Sequence, residues 1–349
     1  MNDAKSFDPK ELQVIQADPQ IRAARFSPCG KILAAGGFDG RLRRWTLEEK
    51  SSKELPALES HHAWIDGLAF RGEGELLFSG DSWGQLVCWG GYSSEKPAAK
   101  WKQEKAHDGW IRELAVSPDG KVLASCGTDR MIRLWNTDDG AKKGEIAADG
   151  RDILRLRFAP DGSIFGGDDR GMVRQWQADG KLLKTFDAAP LYALSRLQDV
   201  GGVHAMALSG DGKLLAAGGV KPKNGGTVVG TPTLYLFDIA SGEMKQTYEL
   251  GTENDCFVAD VHFHSDDALH VVTYGTPGQG QLLALRPTEK TPFFTFKKMA
   301  NCQSISWHPD GKRFAVVATN SGSNGNGRPL DKDGKYVTNK SPIHVFAVG

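Results

Sequence analysis

Apolar and polar residues alternate with a period of two along most of this chain. WIRELAVS (110–117), KVLASCG (121–127) and MIRLWNT (131–137) follow one another in that pattern, which predicts successive strands and no amphipathic helix. Between such runs one turn keeps returning: SPCGK at 27–31, SPDGK at 117–121, APDGS at 159–163, SGDGK at 209–213 and HPDGK at 308–312, with degenerate copies RGEGE at 71–75 and HSDDA at 264–268. Gly and Asp there supply the backbone conformations that tight hairpins demand. From Gly30 through Gly74, Gly120, Gly162, Gly212 and Asp267 to Gly311 the steps are 44, 46, 42, 50, 55 and 44 residues, the period of a unit of four short strands. Seven antiparallel sheets with no helices to cover them must bury their faces on one another, and radial closure does this while leaving few edges. The predicted fold is all-β, a ring of seven four-stranded blades.

His107, Ser125, Asp129 and Trp135, followed by Asn136, resemble the signature of the WD-repeat (WD40) β-propellers. The resemblance implies a hydrogen-bonded chain from the loop before the first strand of the blade to the Trp on its third. Trp45, Trp89, Trp135 and Trp176 hold the third-strand position in the first four repeats, and Phe237, Leu285 and Phe346 replace it afterwards. His61 and His107 alone fill the His position, which Ala17, Asp149, Asp199, Asn254 and Lys298 take elsewhere. Asp39 and Asp129 keep the acid position, Trp83 takes it in the second repeat, and in the fourth the acid is shifted to Asp169 with Arg170 at the strict spacing, so only the third repeat is expected to form the complete chain. The seventh repeat ends after its third strand, so LQVIQ (12–16) is predicted to supply the missing one, as in the family. Residues 10–349 then form one propeller and 1–9 a short tail.

Lysine and arginine together number 43, matching 43 acidic residues, so no global field draws the chain to nucleic acid or anionic lipid. Residues 1–11 lack the apolar core of a signal peptide, and no stretch is apolar enough to span a bilayer. The five cysteines contain no CxxC pair, which argues against a disulfide framework or a zinc knuckle. A cytoplasmic protein with no membrane or nucleic-acid contact is the expectation.

The loop before each first strand and the loop between the second and third strands share one end of the ring, called the top here. All long insertions fall there: Ala188 to Gly202, Val220 to Pro232, Gly275 to Gly280 and Asn320 to Ser341. Connections of this length are more often binding loops than structural necessities. Beside them the short loops of repeats one to three carry Phe38, Trp64, Trp83 and Trp110. Trp64 and Trp110 each follow the repeat His by three residues, and they either cover their own loop or anchor a partner together with Arg112. The innermost strands send Arg22, Asp66, Arg112, Glu113, Arg155, His204, Asp260 and Gln303 towards the channel. These line a solvated structural ring or, alternatively, a polar throat for a charged side chain or phosphate, with Arg22 and Arg112 as donors.

Asp260, His262 and His264 alternate on one strand as metal ligands can, yet His264 begins a turn tag as His308 does, and strand-end packing accounts for both. DKDGK (331–335) lacks the third acid and closing Glu of a calcium loop, and SGSNGNG (321–327) is followed by no Lys-Ser/Thr pair. KPKNGG (221–226) with Arg328, Lys332, Lys335 and Lys340 has no aromatics interleaved for stacking bases. No metal, cofactor or catalytic residue is expected. The reading is a non-enzymatic scaffold that presents its top face to a protein or peptide. The alternatives are an enzyme or small-ligand binder at the channel mouth, using Asp66, Glu113, His204 or Asp260, and a structural subunit of a larger assembly.

Overall fold

The computed structural model describes residues 7–18, 20–48, 50–195, 198–223, 229–253, 255–275, 279–319 and 340–348. They form seven four-stranded antiparallel sheets and one additional two-stranded hairpin. In each of the first six blades the strands lie in chain order from the channel outward. Blade three is Ile111–Val116, Val122–Gly127, Met131–Asn136 and Lys142–Ala147. Each innermost strand touches that of the next blade, and the last touches the first, so the array closes on itself.

Closure is made by the N-terminal strand. Pro9–Ala17 pairs antiparallel with Ser341–Val348 as the outermost strand of blade seven, from Pro9 opposite Val348 to Ala17 opposite Ser341. Three serines of blade seven complete the seam: Ile21, Ala24 and Phe26 of blade one donate their N–H groups to the hydroxyls of Ser341, Ser304 and Ser306 at 3.0, 3.2 and 3.0 Å. On the bottom, His264 Nε2 lies 3.0 Å from the Gly311 carbonyl and His308 Nε2 3.0 Å from that of Gly30, so each histidine that opens a turn tag ties it to the tag of the following blade.

The cores lie between blades. Trp45 of blade one packs with Ile15, Val317, Ile343 and Val345 of blade seven, and Trp176 of blade four with Ala124, Cys126, Ile132 and Leu134 of blade three. Phe237, Leu285 and Phe346, which replace the tryptophan in the last three repeats, are equally buried. Packing of one blade on the next therefore survives loss of the polar chain, because apolar area removed from water drives it.

Among the described residues the polar chain occurs twice. In blade three, His107 Nδ1 is 2.8 Å from Asp129, its Nε2 is 2.7 Å from the Ser125 hydroxyl, and Trp135 Nε1 donates to that hydroxyl at 2.8 Å. The expectation that only this blade would be complete is corrected by blade two. There His61 meets Asp81 at 3.0 Å and Ser79 at 2.7 Å, and Trp89 donates to Ser79 at 2.9 Å. The acid is thus Asp81, the last residue of the second strand, two positions before Trp83. Blade four makes the same exchange and corrects the expectation of Asp169: buried Asp168 pairs with Arg174 at 2.5 Å and accepts the N–H groups of Arg170 and Met172. The two placements exclude one another sterically. Where the acid sits in the turn, a glycine ends the strand, and a Cβ there would lie 2.3 Å from Asp39 Oδ1 at Gly37 or 2.3 Å from the Trp110 carbonyl at Gly127.

Candidate functional site at the channel mouth

The innermost strands start with an irregularity that shapes the channel. In blades one to four the register slips by one residue at Arg22, Asp66, Arg112 and Leu154, and in blade six at Ala259. A bulge turns two consecutive side chains towards the same side of a strand. Arg112 and Glu113 thereby both face the channel, as do Leu154 and Arg155, and Ala259 and Asp260. Two rings result. The upper holds Arg22, Asp66, Arg112, Leu154, His204, Ala259 and Gln303; the lower contributes Ala23, Glu113, Arg155, Asp260 and Ser304 to the same cavity of about 390 Å3. All the channel residues expected from the sequence line this cavity, joined by Gln20, Arg25 and Tyr274.

The lower ring stitches blades together. Leu156 donates its N–H to Glu113 at 2.9 Å, and Ile305 donates to Asp260 at 3.2 Å, each acid satisfying the exposed edge of the next blade. Ser304 does the same for Ala24 across the closing seam. Both acids also hold arginines from farther down the channel, Glu113 with Arg157 at 2.5 Å and Asp260 with Arg25 at 3.4 Å. Sequence reasoning missed these arginines, although each follows the lower-ring position of its strand by two residues.

Charge in the upper ring is less balanced. Asp66 Oδ2 stands 3.5 Å from Arg22 and 3.7 Å from Arg112, one oxygen shared by two guanidiniums. Arg112 Nε and Trp110 Nε1 are buried without a hydrogen-bond partner among the described residues. Burial, offset in part by Asp66 and reinforced by Arg22 and Arg155, lowers the Arg112 pKa. Burial and then the charge of Arg155 push His204 down to about 3, so its ring is neutral; it contacts the Gly201 carbonyl at 3.1 Å and packs, tilted, on Phe257.

An aromatic wall rises from one side of the mouth. Phe38 and Trp64 stack with centroids 4.6 Å apart, Trp64 meets Trp110 edge-on at 5.7 Å, and the Arg112 guanidinium lies 3.8 Å over the Trp110 ring. Of the residues expected to form a contact surface, the structure brings these four together, with Trp64 44% exposed. Trp83 stands apart, 70% exposed and without an aromatic partner among the described residues. On the opposite side, the insertion after blade four folds into a hairpin, Tyr192–Ser195 with Gln198–Gly201, held by Arg170 over the Tyr192 ring at 4.4 Å and by Tyr192 and Arg170 on Asp199. Residues 224–228, 276–278 and 320–339 of the other insertions, with the loops at 321–327 and 331–335, Arg328, Lys332 and Lys335, lie outside the described residues.

The alternating Asp260, His262 and His264 have separate engagements: Asp260 in the channel, His262 stacked on Trp307, His264 beside Asp266 and Gly311.

The family model described as WD domain, G-beta repeat matches residues 9–46 and 100–136. Residues 9–46 and 100–136 are thus WD repeats, and they stand in a closed ring of seven blades. Its sequence is 27% identical over 182 residues to Protein hir-1 of Neurospora crassa, covering 44% of this chain and 18% of that protein. Protein hir1 of Schizosaccharomyces pombe is 26% identical over 204 residues, 49% of this chain and 22% of that one. The chromatin assembly factor 1 subunit FAS2 homolog of Oryza sativa is 30% identical over 131 residues, 35% and 26%. In each case the match with this WD-repeat chain spans less than a third of the relative's length. Their names lend no support to a cytoplasmic placement.

Proposed function

We infer that this propeller is a non-enzymatic scaffold whose top face, centred on Phe38, Trp64, Trp110 and Arg112, binds a protein partner. The observation that carries the reading is the continuous stack at the channel mouth, in which Trp64, nearly half exposed, lies on Phe38 and meets Trp110 edge-on, with the Arg112 guanidinium over the Trp110 ring. Aromatic and arginine side chains of this kind are the usual anchors of protein interfaces. Trp83, on the adjoining turn, belongs to the rim of the same surface. The likeness to a chromatin assembly factor component favours a role within a multi-protein assembly, in whatever compartment that assembly occupies. With no net charge, the chain meets any nucleic acid through its partner.

The rival enzyme reading is disfavoured by the engagement of its acids. Glu113 and Asp260 hold backbone N–H groups and arginines, and the neutral His204 is a weak base.

The test is to isolate a partner with the intact chain, identify it, and compare its affinity for wild type and for Trp64→Ala and Trp110→Ala. Each change is expected to weaken binding by about 2 kcal/mol or more with the fold intact. A folded double variant that binds as tightly as wild type would move the interface to the bottom turns or the blade edges.

A further inference from the structure

We propose that the channel mouth is a receptor for a single carboxylate side chain, aspartate or glutamate, carried on a peptide segment of the partner and gripped by Arg22, Arg112 and Arg155. The proposal rests on the top-face reading above and adds the chemistry of what enters. Its ground is the charge left over once every pair in the channel has been assigned.

The cavity lining and the layer beneath hold five arginines, Arg22, Arg25, Arg112, Arg155 and Arg157, and three carboxylates, Asp66, Glu113 and Asp260. Two pairs are complete: Arg25 with Asp260 and Arg157 with Glu113. Of the remaining three arginines, Arg22 and Arg112 have only Asp66 within ion-pair distance among the described residues and Arg155 has no carboxylate there, an excess of two positive charges in the lining. The Arg155 guanidinium donates to the Leu154 carbonyl at 2.8 Å. Arg112 reaches Asp66 only at 3.7 Å, and its Nε–H lacks an acceptor. His204 is neutral and adds no positive charge, while Asp152 beside the mouth is paired with Arg130 at 3.7 Å. Like charges packed in a partly dehydrated ring repel one another, and an arriving anion relieves that repulsion while accepting the unused donors.

The floor and the wall select the anion. A guanidinium edge fits the two oxygens of a carboxylate. Asp66 stays on the same floor, where it opposes the second charge of a phosphate. The stem of an acidic side chain entering beside Arg112 runs along the Trp110 ring, and apolar residues flanking it on the peptide meet Trp64 and Phe38 on the rim. The occupant is therefore an acidic residue between apolar ones.

Capped peptides Leu-Phe-X-Phe-Leu, with X as Glu, Gln, Lys or phosphoserine, are titrated into the full chain and followed by tryptophan fluorescence. The Glu peptide is expected to bind at least about tenfold more tightly than the Gln peptide, with an advantage that shrinks as salt is raised. Arg155→Met, which removes a guanidinium without stranding a carboxylate, is expected to abolish that advantage and leave the melting temperature unchanged. Arg112→Lys, which keeps the charge and loses the fork, is expected to reduce it. Trp64→Ala should weaken Glu and Gln peptides by the same factor and preserve their ratio. Equal binding of Glu and Gln peptides to wild type, an Arg155→Met protein that still distinguishes them, or no binding by any peptide overturns the proposal. A phosphoserine peptide that outbinds the Glu peptide overturns the choice of carboxylate. A Glu/Gln ratio that persists while Trp64→Ala changes neither affinity leaves the mouth standing and overturns the aromatic surface.

Discussion

Asp81 and Asp129 hold equivalent histidines from backbone positions that do not correspond. Burial alone would raise the pKa of each carboxyl, and the histidine hydrogen bonds, with backbone N–H donors, outweigh it and hold both below the ordinary range. Asp81 accepts from His61 and from the N–H groups of Trp83 and Gln85. Asp81→Ala leaves those donors unsatisfied in a buried site, so it is expected to destabilise the protein by about 1–3 kcal/mol, much as Asp129→Ala should. Trp83→Ala, which removes an exposed indole, is expected to cost almost nothing. Urea titration of the three variants checks this, and an Asp81→Ala protein as stable as Trp83→Ala would remove the second polar chain. Asp39 belongs to another arrangement. It holds Arg43 at 3.0 and 2.8 Å, and Arg43 reaches the Asp18 carbonyl, so a salt bridge occupies the place where Ala17 left no histidine.

At the scale of elements, the strand Pro9–Ala17 decides whether blade seven has an open edge. It covers Ser341–Val348 along its whole length, and Phe7 just before it packs on His270, Phe294 and Phe314. Removing residues 1–17 uncovers the backbone groups of that edge and takes Ile15, Ala17 and Phe7 out of two apolar clusters, and an unpaired edge is a template for pairing with another chain. The truncated protein is expected to melt at lower temperature and to elute from size exclusion as oligomers or aggregate. A monomer with an unchanged melting temperature would show that the strand is dispensable. The bulges at the inner strands are also element-level devices. Without them Arg112 and Glu113 would point to opposite sides, and the mouth would lose either its cation or its inter-blade clasp.

Over the whole molecule, stability at mildly acid pH reflects histidines kept uncharged in several places. Burial pushes His204 and His270 down to about 3 and His262 to about 4. His270 makes no hydrogen bond through either ring nitrogen among the described residues and sits amid Phe7, Trp307 and His264. A histidine near 6.5 in the unfolded chain takes up a proton that the folded protein refuses. Stability is therefore full above about pH 6.5 and falls as pH drops towards the folded values near 4 and 3. The paired carboxylates Asp81 and Asp129 add their loss only below the ordinary carboxylate range. Melting temperature is expected to decline steadily from pH 7 to pH 4.5, and His270→Phe to flatten that decline. A curve already flat in the wild type would show that these rings are hydrated or partnered in solution.

Period and pattern were enough to determine the ring. Alternation of apolar residues specifies strands wherever it occurs, the seven turn tags count the sheets, and a last repeat one strand short points to the N-terminal segment, because each of these is a local property of the chain. The channel residues were legible for the same reason, since the inner strand is the first after each loop. What the sequence could not place was decided between residues far apart. Whether the acid sits at Asp81 or two positions later turns on close contacts around the turn: a Cβ would strike the Asp39 carboxylate at Gly37 and the Trp110 carbonyl at Gly127. The slip at Arg112 and its counterparts is a backbone event with no residue signature. The pairing that uses up Glu113 and Asp260 but leaves Arg155 without a counter-charge joins strands some forty residues or more apart. Only the closed ring brings those charges within reach of one another, and the imbalance at the mouth is a property of that closure.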